Sequence, residues 1–132
     1  MNIAWNSLMT TGVPELDDQH RDLIDTLNQL ADAMSANKGS QDIGKILTFA
    51  EEYAQSHFQI EEAYFKKYAC PASAQNQQEH AQFLARFREL QSQFEQHGAD
   101  FKFLSSVYRE LSNWLVHHIL GVDVQLRDAI GK

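Results

Sequence analysis

The chain has 132 residues, 43% of them hydrophobic, with 11 lysines and arginines against 18 aspartates and glutamates. The resulting net charge of −7 argues against nucleic acid and anionic membrane surfaces as partners, and no apolar run approaches the roughly 20 residues that a membrane span needs. A single cysteine, Cys70, rules out an intrachain disulfide and fits a reducing cytoplasm, while only two prolines and six glycines leave room for long regular elements in one domain over residues 1–132.

The first 15 or so residues carry no helical period. Thr10, Thr11, Gly12 and Pro14 predict an extended arm anchored by Trp5. Nothing in the arm has the basic and apolar regions of a signal peptide. A first helix is expected from Asp17 or Asp18, either of which can cap it. Its apolar stripe is His20, Leu23, Ile24, Leu27, Leu30, Ala31 and Met34, the i, i+3, i+4, i+7 spacing of one face. A second helix is expected from Gln41 to Tyr68, with Ile43, Ile46, Ala50, Tyr53, His57, Ile60, Glu61 and Tyr64 on its stripe, ended by Cys70-Pro71. A third runs from Ala72 or Ser73 to Gln96 through Asn76, His80, Phe83, Leu84, Phe87, Leu90 and Phe94, and stops at His97-Gly98. A fourth starts near Asp100 and carries Leu104, Val107, Leu111, Trp114, Leu115 and His118; Gly121 weakens it, and a short tail follows from Asp123 to Ile130. The pattern is all-α: an up-down-up-down antiparallel four-helix bundle with an N-terminal extended arm and a short C-terminal helix.

Four histidines, His20, His57, His80 and His118, fall on the apolar stripes, one per helix. A buried polar group without a partner costs about 1–3 kcal/mol, so burying four imidazoles requires something that satisfies them together. A metal centre does. In an antiparallel bundle the start of the first and third helices and the end of the second and fourth share one end, and all four histidines lie within roughly 15 Å of it at 1.5 Å per residue. His57 and Glu61 are i, i+4 and can reach one centre. His118 and Asp123 are i, i+5, roughly 140° apart on a straight helix at about 100° per residue. They converge only if the helix loosens, with Gly121 as the place for it. Imidazole with carboxylate suits Fe, Mn or Zn, and bridging carboxylates in a four-helix bundle are the usual way to hold two irons.

Trp5, the DDQH run ending at His20, HFQIE (His57 to Glu61), the EH of NQQEH (His80) and WLVHHILGVD (Trp114 to Asp123) together resemble the bacterial hemerythrins, over nearly the whole chain. The resemblance implies two non-haem Fe ions with a bridging oxo or hydroxo group, and O2 as ligand. Carried over by position, His20 and His57 bind the iron open to O2, Glu61 and Asp123 bridge, and His80 and His118 bind the second iron with a third histidine four residues before His80. That position is Asn76 here, so the HxxxH pair of the family reads NxxxH. Three outcomes follow: Asn76 ligates weakly through oxygen, water or another exogenous ligand fills the gap, or the second iron binds weakly and leaves a mostly mononuclear site.

The leading expectation is an O2-binding di-iron protein, a carrier, store or sensor module that is not an enzyme, although the opening at Asn76 admits a peroxidase-like side activity. The alternatives are a di-iron oxidase, peroxidase or NO-handling enzyme, and a redox-silent metal-binding module. The expected partners are O2 or small exogenous ligands, with no nucleic acid and no membrane, for a cytoplasmic monomer. His117 and His97 read as surface residues, Cys70 as inert, the Glu/Gln-rich outer faces as solvated, and Phe58, Tyr64, Phe83, Phe87 and Trp114 as core packing that can wall an O2 pocket.

Overall fold

The structure, a computed structural model, describes residues 3–131; the first two residues and the last, which the expected domain includes, lie outside the described residues. Four long helices, α1 (Pro14–Ser35), α2 (Ser40–Lys67), α3 (Ser73–His97) and α4 (Phe101–His118), are followed by a π-helical turn (Ile119–Asp123) and a short helix α5 (Gln125–Ile130). No strand occurs among the described residues. Helix α1 packs on α2 and α4, α2 on α3, and α3 on α4. This is the ring of neighbours of an up-down-up-down bundle. No helix among the described residues is long and apolar enough to cross a membrane.

The arm is not extended throughout, because Ser7–Met9 form a 3-10 turn capped by the Asn6 side chain. Trp5 anchors it beneath the Arg21 guanidinium, 4.0 Å from the ring centre, and Asn28 pairs with both the N–H and C=O of Ile3. Helix α1 begins at Pro14 and not at Asp17 or Asp18. Proline suits the first helical position, where its missing N–H has no partner to lose. Asp17 instead accepts the backbone N–H and the hydroxyl of Thr11, at 3.0 and 2.9 Å, and so latches the arm to the helix. The start of α4 matches its sequence signal: Asp100 caps the helix by accepting from the Phe103 N–H.

Helices α1 and α2 end alike. Asn37 (φ 55°) and Ala69 (φ 50°) sit in the left-handed region. Lys38 N–H returns to Ala33 C=O and Asn37 N–H to Met34 C=O; Cys70 N–H returns to Phe65 C=O and Ala69 N–H to Lys66 C=O. These paired bonds satisfy the last carbonyls of each helix. Cys70 and Phe65 pack together in one apolar cluster, which gives the buried thiol a packing role. The left-handed conformation costs an L-residue about 1–2 kcal/mol and glycine almost nothing. Ala69→Gly is therefore expected to raise stability by about 1 kcal/mol, read as a higher urea midpoint; an unchanged or lower midpoint would contradict the assigned turn.

Two apolar clusters fill the bundle. The larger runs along its length and includes Leu23, Leu27, Leu30, Ile43, Phe58, Phe87, Leu104, Leu111 and Leu115. The smaller one closes the end from which α1 starts, with Val13, Leu16, Phe65, Cys70, Ala72, Val122 and Leu126. The chain passes from one cluster to the other at four places, and polar core residues lie at each: His20 between Leu16 and Leu23, Glu61 between Phe58 and Phe65, Asn76 and His80 between Ala72 and Phe87, and Asp123 between Ile119 and Leu126. The candidate site is thus a polar layer sealed above and below by hydrocarbon.

Candidate metal centre

His20, His57, Glu61, Asn76, His80, His118 and Asp123 all enter that layer, and none is more than 3% exposed. The i, i+5 pair on α4 meets because the backbone widens between its members. Val124 N–H bonds to Ile119 C=O, five residues back, and this π turn brings His118 Nε2 within 3.0 Å of Asp123 Oδ1. Gly121 is not what permits it: a Cβ there would meet nothing within 4 Å and its φ is ordinary. The loosening is a property of the whole turn, of the kind found at functional sites. Asp123 does not cap the tail helix; it is turned into the core.

Glu61 is the hub. Its Oε2 lies 2.9 Å from His20 Nε2 and 3.0 Å from His57 Nε2, while its Oε1 lies 2.9 Å from His80 Nε2 and 3.6 Å from His118 Nε2. Asp123 repeats the division, with Oδ2 at 3.1 Å from His20 Nε2 and Oδ1 at 3.0 Å from His118 Nε2. Each carboxylate therefore aims one oxygen at each half of the layer. His20, His57 and Glu61 form one group able to hold a metal ion, and Glu61, His80, His118 and Asp123 form another. Asn76 donates from its amide nitrogen to Glu61 Oε1 at 2.9 Å and to Asp123 Oδ1 at 3.2 Å, and lies 3.3 Å from His80 Nε2.

Three side chains missed in the sequence complete the layer from outside. His57 Nδ1 faces Gln19 Oε1 at 2.7 Å, His80 Nδ1 faces Glu62 Oε2 at 2.8 Å, and His118 Nδ1 faces Glu79 Oε1 at 2.7 Å. In each case the partner comes from the preceding helix and sits next to that helix's own site residue. Glu62 and Glu79 are thus not simply solvated surface, as the sequence suggested. An Nδ1–H held by an oxygen leaves Nε2 with its lone pair pointing inward. The ring faces are covered as well: Phe58 stacks on His80 at 3.8 Å between centroids, and Trp114 on His118 at 4.5 Å. His117 is exposed and faces its own helix backbone at the Asn113 C=O, and exposed His97 stacks on Phe103.

This donor set fits a metal pair. His80 Nε2 and His118 Nε2 are 3.1 Å apart. With both Nδ1 protons directed outward, only a shared proton or a cation can bridge that contact. Asn76 Oδ1 is buried in the layer without a hydrogen bond, and Asp123 Oδ2 faces His20 Nε2 at 3.1 Å. Burial by itself opposes charge on His20, but the Asp123 and Glu61 carboxylates outweigh it and push its pKa up to about 10. The same balance, with Asp123 foremost after burial, raises His118 to about 11. Burial alone would raise Glu61, yet the charge of His57 and the hydrogen bonds of His118 and His20 hold it well below the usual carboxylate range. Without metal, the layer is balanced by protons on imidazole.

Those protons must leave when metal enters. Metal loading at pH 8 is expected to release about two protons per chain, one each from His20 and His118, because pH 8 lies below both raised values. Calorimetric titrations in buffers of different ionisation enthalpy read this directly, and identical heats in all buffers would contradict it. The sign for stability is opposite. Groups with raised folded-state pKa contribute stability that is full below their ordinary value of 6.5 and is lost as pH rises through about 10 to 11. The metal-free protein should weaken over the range in which metal affinity grows.

The model of the hemerythrin HHE cation binding domain matches residues 11–126. The chain belongs to the hemerythrin family, whose members are non-haem iron proteins that bind oxygen and are not enzymes. Among curated relatives, it is 29% identical over 128 residues to the bacteriohemerythrin of Stenotrophomonas maltophilia, covering 97% of this chain and 81% of that one. It is 32% identical over 113 residues to the bacteriohemerythrin of Methylococcus capsulatus, covering 86% and 84%. A hemerythrin-like protein of Naegleria gruberi is 27% identical, covering 96% and 92%. The crystal structure of a wild-type hemerythrin superposes with a TM-score of 0.83 at 26% identity, covering 98% of both chains.

Proposed function

We propose that this protein binds O2 reversibly at a pair of non-haem irons joined by an oxo or hydroxo bridge. His20 and His57 would hold one metal and His80 and His118 the other, with Glu61 and Asp123 shared between them. The observation that carries this reading is the division of both carboxylates, each with one oxygen toward each histidine pair. Asn76 stands where the family pattern has a histidine. It is neutral and turns its amide nitrogen toward Glu61 and Asp123, so a metal held by His80 and His118 would have one protein ligand fewer there.

When bound, the iron pair supplies the electrons that hold O2. The chain does the rest. Gln19, Glu62 and Glu79 fix the imidazole tautomers from outside. Phe58 and Trp114 cover the rings of His80 and His118 and exclude water from that side. Beneath them an apolar cavity of about 20 Å³, lined by Leu23, Ala54, Phe58, Phe83, Leu111 and Trp114 among others, offers a small nonpolar molecule space without a polar contact. An apolar wall of this kind keeps protons from the site and slows irreversible oxidation. A free, buried thiol at Cys70 fits a reducing cytoplasm.

The test is spectroscopic. Protein reconstituted with Fe(II) under argon should gain a visible band on exposure to O2 and lose it when O2 is removed, through several cycles. Irreversible bleaching, or turnover with peroxide, would support an oxidase or peroxidase. A colourless protein that takes up zinc but shows no O2-dependent band would support a redox-silent module.

A further inference from the structure

The outer partners of the four imidazoles are unequal, and the inequality follows the Asn76 gap. On one half of the layer, His57 Nδ1 meets a neutral amide, Gln19 Oε1 at 2.7 Å, and His20 Nδ1 is buried without any partner. On the other half, both imidazoles are backed by carboxylates: His80 by Glu62 at 2.8 Å and His118 by Glu79 at 2.7 Å. This second half is the one where neutral Asn76 lies against His80.

Both carboxylates are built into their places. They sit on the seams between neighbouring helices, with side chains 29% and 26% exposed, so each keeps one face to water and one to the core. Glu79 uses its second oxygen to accept from Gln75, which leaves Oε1 aimed at His118. An imidazole whose Nδ1–H donates to an anion is a stronger donor through Nε2 than one that donates to an amide. Electron-rich ligands favour the higher oxidation state of a bound metal.

We propose that Glu62 and Glu79 are positioning residues which, through His80 and His118, strengthen the donors on the half of the centre that lacks a third histidine and set its reduction potential. The proposal rests on the reading of the layer as a metal pair. It assigns to two half-exposed surface residues the compensation for a neutral residue in the core.

Glutamine separates charge from shape. In Glu62→Gln and Glu79→Gln the side-chain oxygen can still accept the Nδ1 proton, so packing and tautomer are retained and only the negative charge is lost. Gln19→Glu is the converse change on the other half. Two readouts are needed: the midpoint potential of the iron-loaded protein, and the zinc affinity of the metal-free chain. Each Glu→Gln change is expected to weaken zinc binding by roughly tenfold or more. Each should also raise the midpoint potential, by about 59 mV for every tenfold loss of preference for the oxidised metal. The double variant should move further, and Gln19→Glu should lower the potential. A merely structural role would leave both readouts where the parent has them, and that result in the double variant overturns the proposal. If the parent chain takes up no iron, the O2-binding reading fails, while the zinc series still decides this one. If iron loads and cycles with O2 but the Glu→Gln potentials and zinc affinities do not move, this proposal alone fails.

Discussion

If the paired-iron proposal holds, Glu61→Gln is expected to abolish the oxygen-dependent visible band and to cut bound iron from two per chain to one or fewer. Glu61 approaches all four imidazoles, at 2.9, 3.0, 2.9 and 3.6 Å. Glutamine matches it in volume, so the change tests chemistry and not packing. One of its two terminal atoms becomes an amide nitrogen, a donor with no lone pair to offer, so one half of the layer loses its shared ligand. The metal-free protein should suffer too. Removing one partner of a buried charge cluster costs roughly 3–5 kcal/mol, because the imidazolium charges on His20 and His118 lose half their compensation. That loss should shrink above about pH 11, where both imidazoles are neutral. Iron analysis and urea denaturation read the two effects, with exposed Glu52→Gln on the same helix as the control. Two irons and an intact band in Glu61→Gln would contradict the bridging assignment.

Asn76→His is expected to slow oxidation of the oxygenated form, with the second metal held roughly 10–100-fold more tightly, the scale on which metal sites respond to a gained or lost partner. Asn76 is fully buried. It lies one turn before His80 on α3 and touches both carboxylates. An imidazole at that point faces the same centre, where Asn76 now turns an amide nitrogen, which has no lone pair to offer, toward both carboxylates. A third imidazole would complete the protein ligands of a metal held by His80 and His118 and would deny water or anions a point of entry. The decay of the oxygenated band in air measures the effect. An unchanged rate in Asn76→His would mean that residue 76 does not face the metal.

The stripes of His20, His57, His80 and His118 were legible because a helix period of 3.6 fixes which side chains share a face, and antiparallel order fixes which ends share a layer. The His118–Asp123 pair was half legible. Its spacing required a loosened helix, but the wide turn through Ile119–Asp123 cannot be read from Gly121, which the structure does not need for space. The start of α1 was misplaced because Asp17 has the chemistry of a cap and spends it on Thr11. Gln19, Glu62 and Glu79 were read as solvated surface for a related reason. They lie off the apolar stripes, and whether such a side chain reaches the next helix depends on the distance and rotation between helices, which no periodicity encodes. The one signal was position: each adjoins a site residue of its own helix.

The most direct measurement is an anaerobic titration of the metal-free chain with Fe(II), followed by admission of air. We expect uptake to saturate at two irons per chain and a reversible oxygen-dependent band to appear in proportion. Saturation at one iron or none, with no such band, would contradict the paired centre and end the oxygen-binding account.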